Sequence, residues 1–288
     1  MSSNSHSHSH EHEHTPGNAH GHSHSHDYGS QFIDPTGRIP MVDTQGLTQA
    51  ERSRIHFDNF AKAHVDKFAE GRRFIAKNIQ DRLDWIGVDF TKPVRVLDYA
   101  CGTGVVSHSL APYVTPTSQF VGIDVSDTLG ADQYNITSAA LGFTPEFMKA
   151  YKGTLLEPTD PNPTEFSASE FFNFDIVACS MSLHHFDDPA YAMQQLAKRA
   201  RPNGGVFIII DNTEAPVNTE IHKIHQQATG HGPHTAMGYA EEEMRKYFEG
   251  AGVAVEFEYV VLEGGPEIDI EGYKWHMQIF ISKGKRDE

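Results

Sequence analysis

The chain has 288 residues with 23 basic against 39 acidic side chains, a formal charge of -16, and two cysteines. That acidic balance, with no Lys/Arg block to track a phosphate backbone, excludes nucleic acid as a natural partner. Cys101 and Cys179 each lie inside an apolar segment, which argues against a disulfide framework or a thiolate zinc site and for a reducing, cytoplasmic setting. No basic leader with an apolar run and no span of about 18 apolar residues is present, so a soluble protein without membrane contact is expected.

Residues 1–46 hold nine of the 19 histidines, interleaved with Ser, Glu and Gly. Almost nothing apolar is there to offset the entropy of ordering, so the segment reads as a disordered tail. His6, His8, His10, His12 and His14 could bind Zn, Cu or Ni loosely; a solubilising tail is the plainer reading, and an engineered tag is a further alternative that the Ser-His and Glu-His alternation, unlike a contiguous histidine run, argues against. One catalytic domain is expected over residues 47–288.

From Thr48 the pattern turns helical. Phe60, His64 and Phe68 fall on one stripe, and Ile75, Ile79, Leu83 and Ile86 repeat at helical spacing, predicting two helices within residues 47–90 ahead of the sheet. Pro93 ends them, and Val94 to Leu97 form a short strand that enters the Gly-containing turn Ala100 to Gly104. Further buried strands are predicted at Phe120 to Ile123, Phe174 to Ala178 and Val206 to Ile210, with a helix over Ala190 to Ala200. Such alternation implies a doubly wound, mostly parallel sheet. Near the end, Glu241 to Glu249 reads as a helix stopped by Gly250 and Gly252. Strands at Val253 to Leu262 and His276 to Ser282, with only a loop between them, predict an antiparallel hairpin at the sheet edge.

The chemistry concentrates in Val96-Leu97-Asp98-Tyr99-Ala100-Cys101-Gly102-Thr103-Gly104. Two glycines at a strand-to-helix turn let the backbone approach a ligand. Asp124 follows 20 residues after Gly104, at the end of the next apolar strand, where a carboxylate can accept both ribose hydroxyls. Charge then selects the nucleoside. Asp98 would sit beside the glycine turn, and two like charges about 4 Å apart cost roughly 4 kcal/mol at an effective dielectric of about 20. A pyrophosphate would be repelled there. S-adenosyl-L-methionine carries an α-ammonium and a sulfonium and no phosphate, so the same carboxylate attracts it, directly or through water. Ser107 could serve as the third small residue of a dinucleotide fingerprint, but no Tyr is followed four positions later by Lys, as short-chain dehydrogenases would have.

These segments, with Gly122-Ile123-Asp124-Val125-Ser126, Phe174-Asp175-Ile176-Val177 and Arg201-Pro202-Asn203-Gly204-Gly205, resemble class I S-adenosylmethionine-dependent methyltransferases over roughly residues 55–283. The pair His184-His185 followed by Asp188-Pro189 is similar to the small-molecule, UbiE-like group. The resemblance implies a Rossmann-like, seven-stranded α/β sheet with N-terminal lid helices. It implies that Asp98, Ala100, Gly102 and Gly104 hold the methionyl end of the cofactor, Asp124 the ribose and Val125 the adenine face, with Ser180 and Met181 bordering the sulfonium. Thr103, Ser126, Thr154 and Leu155 complete the implied cofactor-binding set. Thr154 stands where the family commonly has an Asp for the adenine amino group, so hydroxyl or backbone contacts would have to substitute.

Alignment of nucleophile, methyl and sulfur can supply most of the acceleration of a methyl transfer. If the acceptor must lose a proton, His184 and His185 are candidate bases, against the alternative that one packs and the other caps the loop before Asp187. Residues 212–238, with His222, His225, His231 and His234, fall where the family inserts acceptor-binding helices and are expected to form part of a lid. No metal site is expected, since neither Cys nor a close acidic cluster completes those histidines. Phe57, Phe60 and Phe68 either close over the acceptor or simply pack their helices. The expected function is methyl transfer from S-adenosyl-L-methionine to a small-molecule acceptor. The alternative is cofactor binding without transfer, or metal buffering through the tail. Acceptor identity and oligomeric state lie beyond the sequence.

Overall fold

A computed structural model describes residues 46–213, 238–270 and 273–287. Helices α1 (Gln49–Lys67), α2 (Ala69–Gln80) and α3 (Leu83–Ile86) come first, one more than the periodicity predicted. The left-handed Gly87 closes α3. The sheet follows as β1 (Arg95–Tyr99), β2 (Gln119–Asp124), β3 (Met148–Lys152), β4 (Ile176–Ser180) and β5 (Val206–Asn212). Helices α4 (Val105–Leu110), α5 (Asp132–Ala140) and α6 (Pro189–Ala197) lie between these strands, and α7 (Glu241–Gly250) leads to β6 (Val255–Leu262). A short hairpin, β7 (Glu267–Ile270) and β8 (Tyr273–His276), precedes β9 (Ile279–Lys285).

The seven-stranded sheet has the order β3-β2-β1-β4-β5-β9-β6. β1 to β5 pair in parallel, and β9 runs antiparallel to both β5 and β6. The doubly wound expectation therefore holds, and so does the antiparallel pairing of the last long strands at the sheet edge, where β9 lies between β5 and β6; one correction is that their connection is not a bare loop, because β7 and β8 pair within it. The strand list also lacked β3, whose Met148–Lys152 mixes charged and apolar residues.

Alternate residues of each strand feed two cores. Val96, Ile176 and Ile208 pack on one face with Ile75 and Ile79 of α2 and Val106 and Leu110 of α4. Leu97, Val177 and Ile209 pack on the other with Met193 and Leu196 of α6 and Met244 and Phe248 of α7. Burial on both faces explains the near-continuous apolar strands. It also leaves the carboxyl ends of β1 and β4 flanking the point where the strand order reverses, the crevice that open α/β sheets use for ligands.

Candidate active site

β1 runs two residues past its predicted end, so Asp98 lies inside the strand, opposite Gly122 of β2 and Ala178 of β4. Its carboxylate accepts the backbone N–H of Ser107 at 3.1 Å and the Ser107 hydroxyl at 2.8 Å, bracing the first turn of α4. Asp98 is 2% exposed. Burial lifts its pKa to about 7, and the neighbouring Asp124 adds to the rise. Ser107, read as the third small residue of a fingerprint, is the partner of this acid.

Asp124 closes β2. One carboxylate oxygen accepts the Gly102 N–H and the other the Ser126 N–H, both at 2.8 Å. Burial, with Asp58 contributing, raises its pKa to about 6. Two buried acids side by side with raised pKa values suit a cation and disfavour a phosphate. Gly102 has φ +48°, and a Cβ built there would meet nothing within 4 Å, so the turn leaves open space above its backbone. Gly104, at φ +84°, is different: its Cβ would lie 2.7 Å from His108 Cε1 and 2.8 Å from Tyr134 Cδ2. Thr103 lies between them, half-buried.

Ala100 and Met181, which follow β1 and β4, adopt positive φ of 52° and 53°. Strain of this kind in non-glycine residues collects at functional edges. Ser180, the last residue of β4, is 8% exposed, and its buried hydroxyl has no hydrogen-bond partner among the described residues. A buried orphan donor of this sort calls for a ligand or water. Val125 is half-buried beside the acid of β2.

The Thr154 hydroxyl lies 3.1 Å from the Tyr99 hydroxyl and accepts the Leu156 N–H at 3.0 Å, while the Leu155 N–H donates to Tyr99 at 3.3 Å. The threonine hydroxyl works inside the loop after β3, Leu155 is buried, and Tyr99 ties that loop to β1.

Residues 183–185 form a 3-10 turn after β4. His184 Nδ1 lies 2.6 Å from Asp211 Oδ1, and the two histidine rings sit with centroids 4.0 Å apart. His185 meets the edge of Phe57 of α1 at 5.1 Å, and its carbonyl accepts from Gln49. Asp188 caps α6 by accepting the Tyr191 N–H at 2.9 Å, which gives the Asp-Pro pair a helix-starting role. Phe68 packs against the core; the side chains of Phe60 and His64, the tail over residues 1–45, and the four histidines of the expected lid lie outside the description. Among the described residues no group of three or more His, Cys, Asp or Glu is arranged to hold a metal, and no helix is long and apolar enough to cross a membrane.

Two acids went unnoticed in the sequence. Asp58 of α1 accepts from the Ser126 hydroxyl at 2.7 Å and from the Thr128 N–H at 3.3 Å; nothing in its local pattern marks it. Asp211 follows the apolar run Val206 to Ile210, the same strand-end signal that singled out Asp124.

An open α/β sheet with a glycine turn after β1 and a buried carboxylate ending β2 is the architecture of the S-adenosylmethionine-dependent methyltransferase class. The family model described as a methyltransferase domain matches residues 66–256, and the chain belongs to that family. An uncharacterized methyltransferase of Schizosaccharomyces pombe is 39% identical over 113 residues, 39% of this chain and 37% of that protein. The ubiquinone biosynthesis O-methyltransferase of Aromatoleum aromaticum is 32% identical over 128 residues, 44% of this chain and 48% of its own. The alignments thus span less than half the length of both curated relatives. Among solved structures, a SAM-dependent methyltransferase from Thermotoga maritima shares the fold at a TM-score of 0.54 with 15% identity, covering 82% of this chain and all (100%) of the other. The magnesium protoporphyrin IX methyltransferase of Synechocystis, with bound SAM, reaches 0.52 with 14% identity, covering 84% and 99%.

Proposed function

We propose that residues 47–288 act as one catalytic unit that transfers a methyl group from S-adenosyl-L-methionine to a small-molecule acceptor. The carrying observation is the pair of buried acids Asp98 and Asp124 at the carboxyl edge of β1 and β2, both with raised pKa, beside the open backbone of Gly102. When bound, the cofactor supplies an activated methyl on a cationic sulfur. In this reading Asp124 takes the ribose hydroxyls through the lone pairs left over from Gly102 and Ser126. Val125 and the loop at Thr154 and Leu155 border the adenine, and Ala100 to Gly104 hold the methionyl end.

Asp98 acts from beneath the turn: it fixes α4 and contributes negative potential toward the α-ammonium. Ser180, with its orphan hydroxyl, and Met181 border the sulfur. The chain's task is then alignment and exclusion of water, which can supply most of the acceleration. The similarity to O-methyltransferases favours an oxygen acceptor, and an oxygen acceptor must lose a proton, for which His184 and His185 are placed after β4. Phe57 and residues 212–238 would bound the acceptor.

Thermal unfolding with S-adenosylhomocysteine against NAD tests the cofactor, because a ligand that binds only the folded state raises stability with its affinity. Labelled methyl donor offered with a panel of hydroxyl, amine and thiol acceptors then tests transfer. Stabilisation by NAD and not by the homocysteine analogue would overturn the reading.

A further inference from the structure

Asn212 ends β5 and is 3% exposed. Its backbone is engaged: the N–H donates to Asp211 Oδ1 at 2.7 Å, the carbonyl accepts the Tyr239 N–H at 2.9 Å, and the residue pairs with Ile279 of β9. Its side-chain Oδ1 is buried and has no hydrogen-bond partner among the described residues, the condition of the Ser180 hydroxyl on the neighbouring strand. A buried carbonyl oxygen left unpaired lowers the stability of the free protein, so its place in the sheet is informative.

The two orphan oxygens share one face. Ser180 lies opposite Ile210, and Ile210 packs in the same core as Ala178, the register partner of Asp98. Ile279, the partner of Asn212, packs there too. Side chains alternate along a strand, so Asp98, Ser180 and Asn212 belong to that face, and so does Asp124, two residues past Gly122, the partner of Asp98. Across the sheet the sequence of polar groups is Asp124 on β2, Asp98 on β1, Ser180 on β4 and Asn212 on β5. In the methyl-transfer reading the two acids serve the ribose and the methionyl end and Ser180 borders the sulfur. Asn212 then falls one strand further on, past the departing methyl, on the side left for the acceptor. A strand spacing of about 4.8 Å and a rise of about 3.3 Å per residue set its Cα about 8 Å from that of Ser180. The Met181 N–H, donated to the Ile210 carbonyl at 2.7 Å, fixes the two strand ends against each other.

We propose that Asn212 selects the acceptor: its Oδ1 takes a hydrogen bond from a hydroxyl or N–H group of the small molecule next to the atom that is methylated. The inference rests on the methyl-transfer reading and deepens it by naming a substrate class, a molecule with two neighbouring donor groups, one methylated and the other held. An amide oxygen only accepts, so the group it lacks is a donor. Its strand neighbours on that face, Ile210 and Ile279, are apolar and offer the donor no rival partner. A molecule without the second donor leaves Oδ1 unpaired in a site closed to water, the situation in which discrimination is largest.

The test takes two measurements on the full-length protein. In the first, wild type and N212L are unfolded thermally without acceptor, each with and without S-adenosylhomocysteine. Leu has nearly the shape of Asn and no polar atom, so N212L should melt at or above the wild-type temperature and gain as much from the analogue. A variant that melts several degrees lower would show that Oδ1 serves the free protein, through a structural water, and would overturn the proposal. In the second, labelled S-adenosylmethionine is offered with aromatic and aliphatic 1,2-diols and amino alcohols, each beside its mono-methyl ether and its analogue lacking the second group. Wild type should favour the compound with two donors by about 100-fold or more in kcat/KM, and N212L should bring that ratio close to one with KM for the methyl donor unchanged. Equal kcat/KM on the matched compounds, or transfer only to those with a single polar group, overturns the proposal, and the wild-type ratio decides even if the variant misfolds. Failure of the wild-type protein to bind S-adenosylhomocysteine would instead overturn the methyl-transfer reading.

Discussion

Gly102 donates its backbone N–H to Asp124 Oδ2 at 2.8 Å, which makes the turn after β1 and the acid that ends β2 a single hydrogen-bonded unit. A ligand held by one is felt by the other. With Asp98 braced under the same turn, this edge of the sheet carries two carboxyls whose pKa values burial raises.

Proton release on cofactor binding is therefore expected. Burial raises Asp98 to about 7 and Asp124 to about 6 from a usual value of 3.8. Between about pH 4 and 7 the free folded protein holds more protons than the unfolded chain, so these two groups make stability fall as pH rises through that window. A cationic ligand favours the ionised forms. S-adenosylmethionine should then bind more tightly as pH rises from about 5 to 7 and expel protons at about pH 6, more than the sulfonium-free S-adenosylhomocysteine does. Titration calorimetry in two buffers of different ionisation enthalpy counts those protons; net uptake would contradict the assignment.

The two glycines of the turn should separate binding from folding. Both have positive φ, so Ala at either costs about 1 kcal/mol in backbone strain. At Gly104 the new Cβ also meets His108, whose Nε2 lies 3.1 Å from the Ser138 hydroxyl, and the ring of Tyr134. G104A should lose clearly more thermal stability than G102A. At Gly102 the new methyl enters open space in the free protein and reaches into the proposed cofactor groove. G102A should unfold near the wild-type temperature yet bind S-adenosylhomocysteine about tenfold or more weakly. Melting curves with and without the analogue read both effects, and equal affinity in G102A would remove the glycine from the site.

What could be read in advance follows from how local the determinants are. β1, β2, β4 and β5 are buried on both faces, so their apolar runs stand out, and the Gly turn and Asp124 fall at strand ends by spacing alone. β3 escaped the strand list because Lys149 and Lys152 interrupt it. The hydrogen bonds of Asp98 to Ser107 depend on β1 running to Tyr99, two residues past the point where apolar patterning stops. Asp58 reaches Ser126 only because α1 packs beside the end of β2, a tertiary fact with no local signature. The contact of Thr154 with Tyr99 was hidden for the same reason, since Tyr99 lies on another strand.

The histidine pair should affect turnover and leave cofactor binding alone. His184 and His185 sit beyond β4, with His184 turned to Asp211 and His185 to Phe57. Replacing both by Gln keeps bulk and polarity in a buried place. The double variant should lose about 100-fold or more in kcat on a hydroxyl acceptor if one histidine takes the proton. Its affinity for S-adenosylhomocysteine should match the wild type. Unchanged kcat would show that the pair merely packs the turn.

Asp58 should tune the proton count of the cofactor edge. Its Oδ1 accepts from Ser126 and Thr128, and its charge adds to the rise in the Asp124 pKa. D58N keeps an oxygen for the Ser126 hydroxyl and removes the charge, so the Asp124 pKa should fall toward the ordinary carboxylate range. At about pH 6 more of Asp124 is then already ionised in the free protein, and fewer protons should leave when S-adenosylmethionine binds. D58A removes the charge and the acceptor together. It should show the same smaller release and, in addition, a lower melting temperature, because Ser126 and Thr128 lose their shared partner on α1. The two variants separate electrostatics from anchoring: equal proton release in wild type, D58N and D58A would mean that Asp58 holds α1 in place without influencing the acid that ends β2.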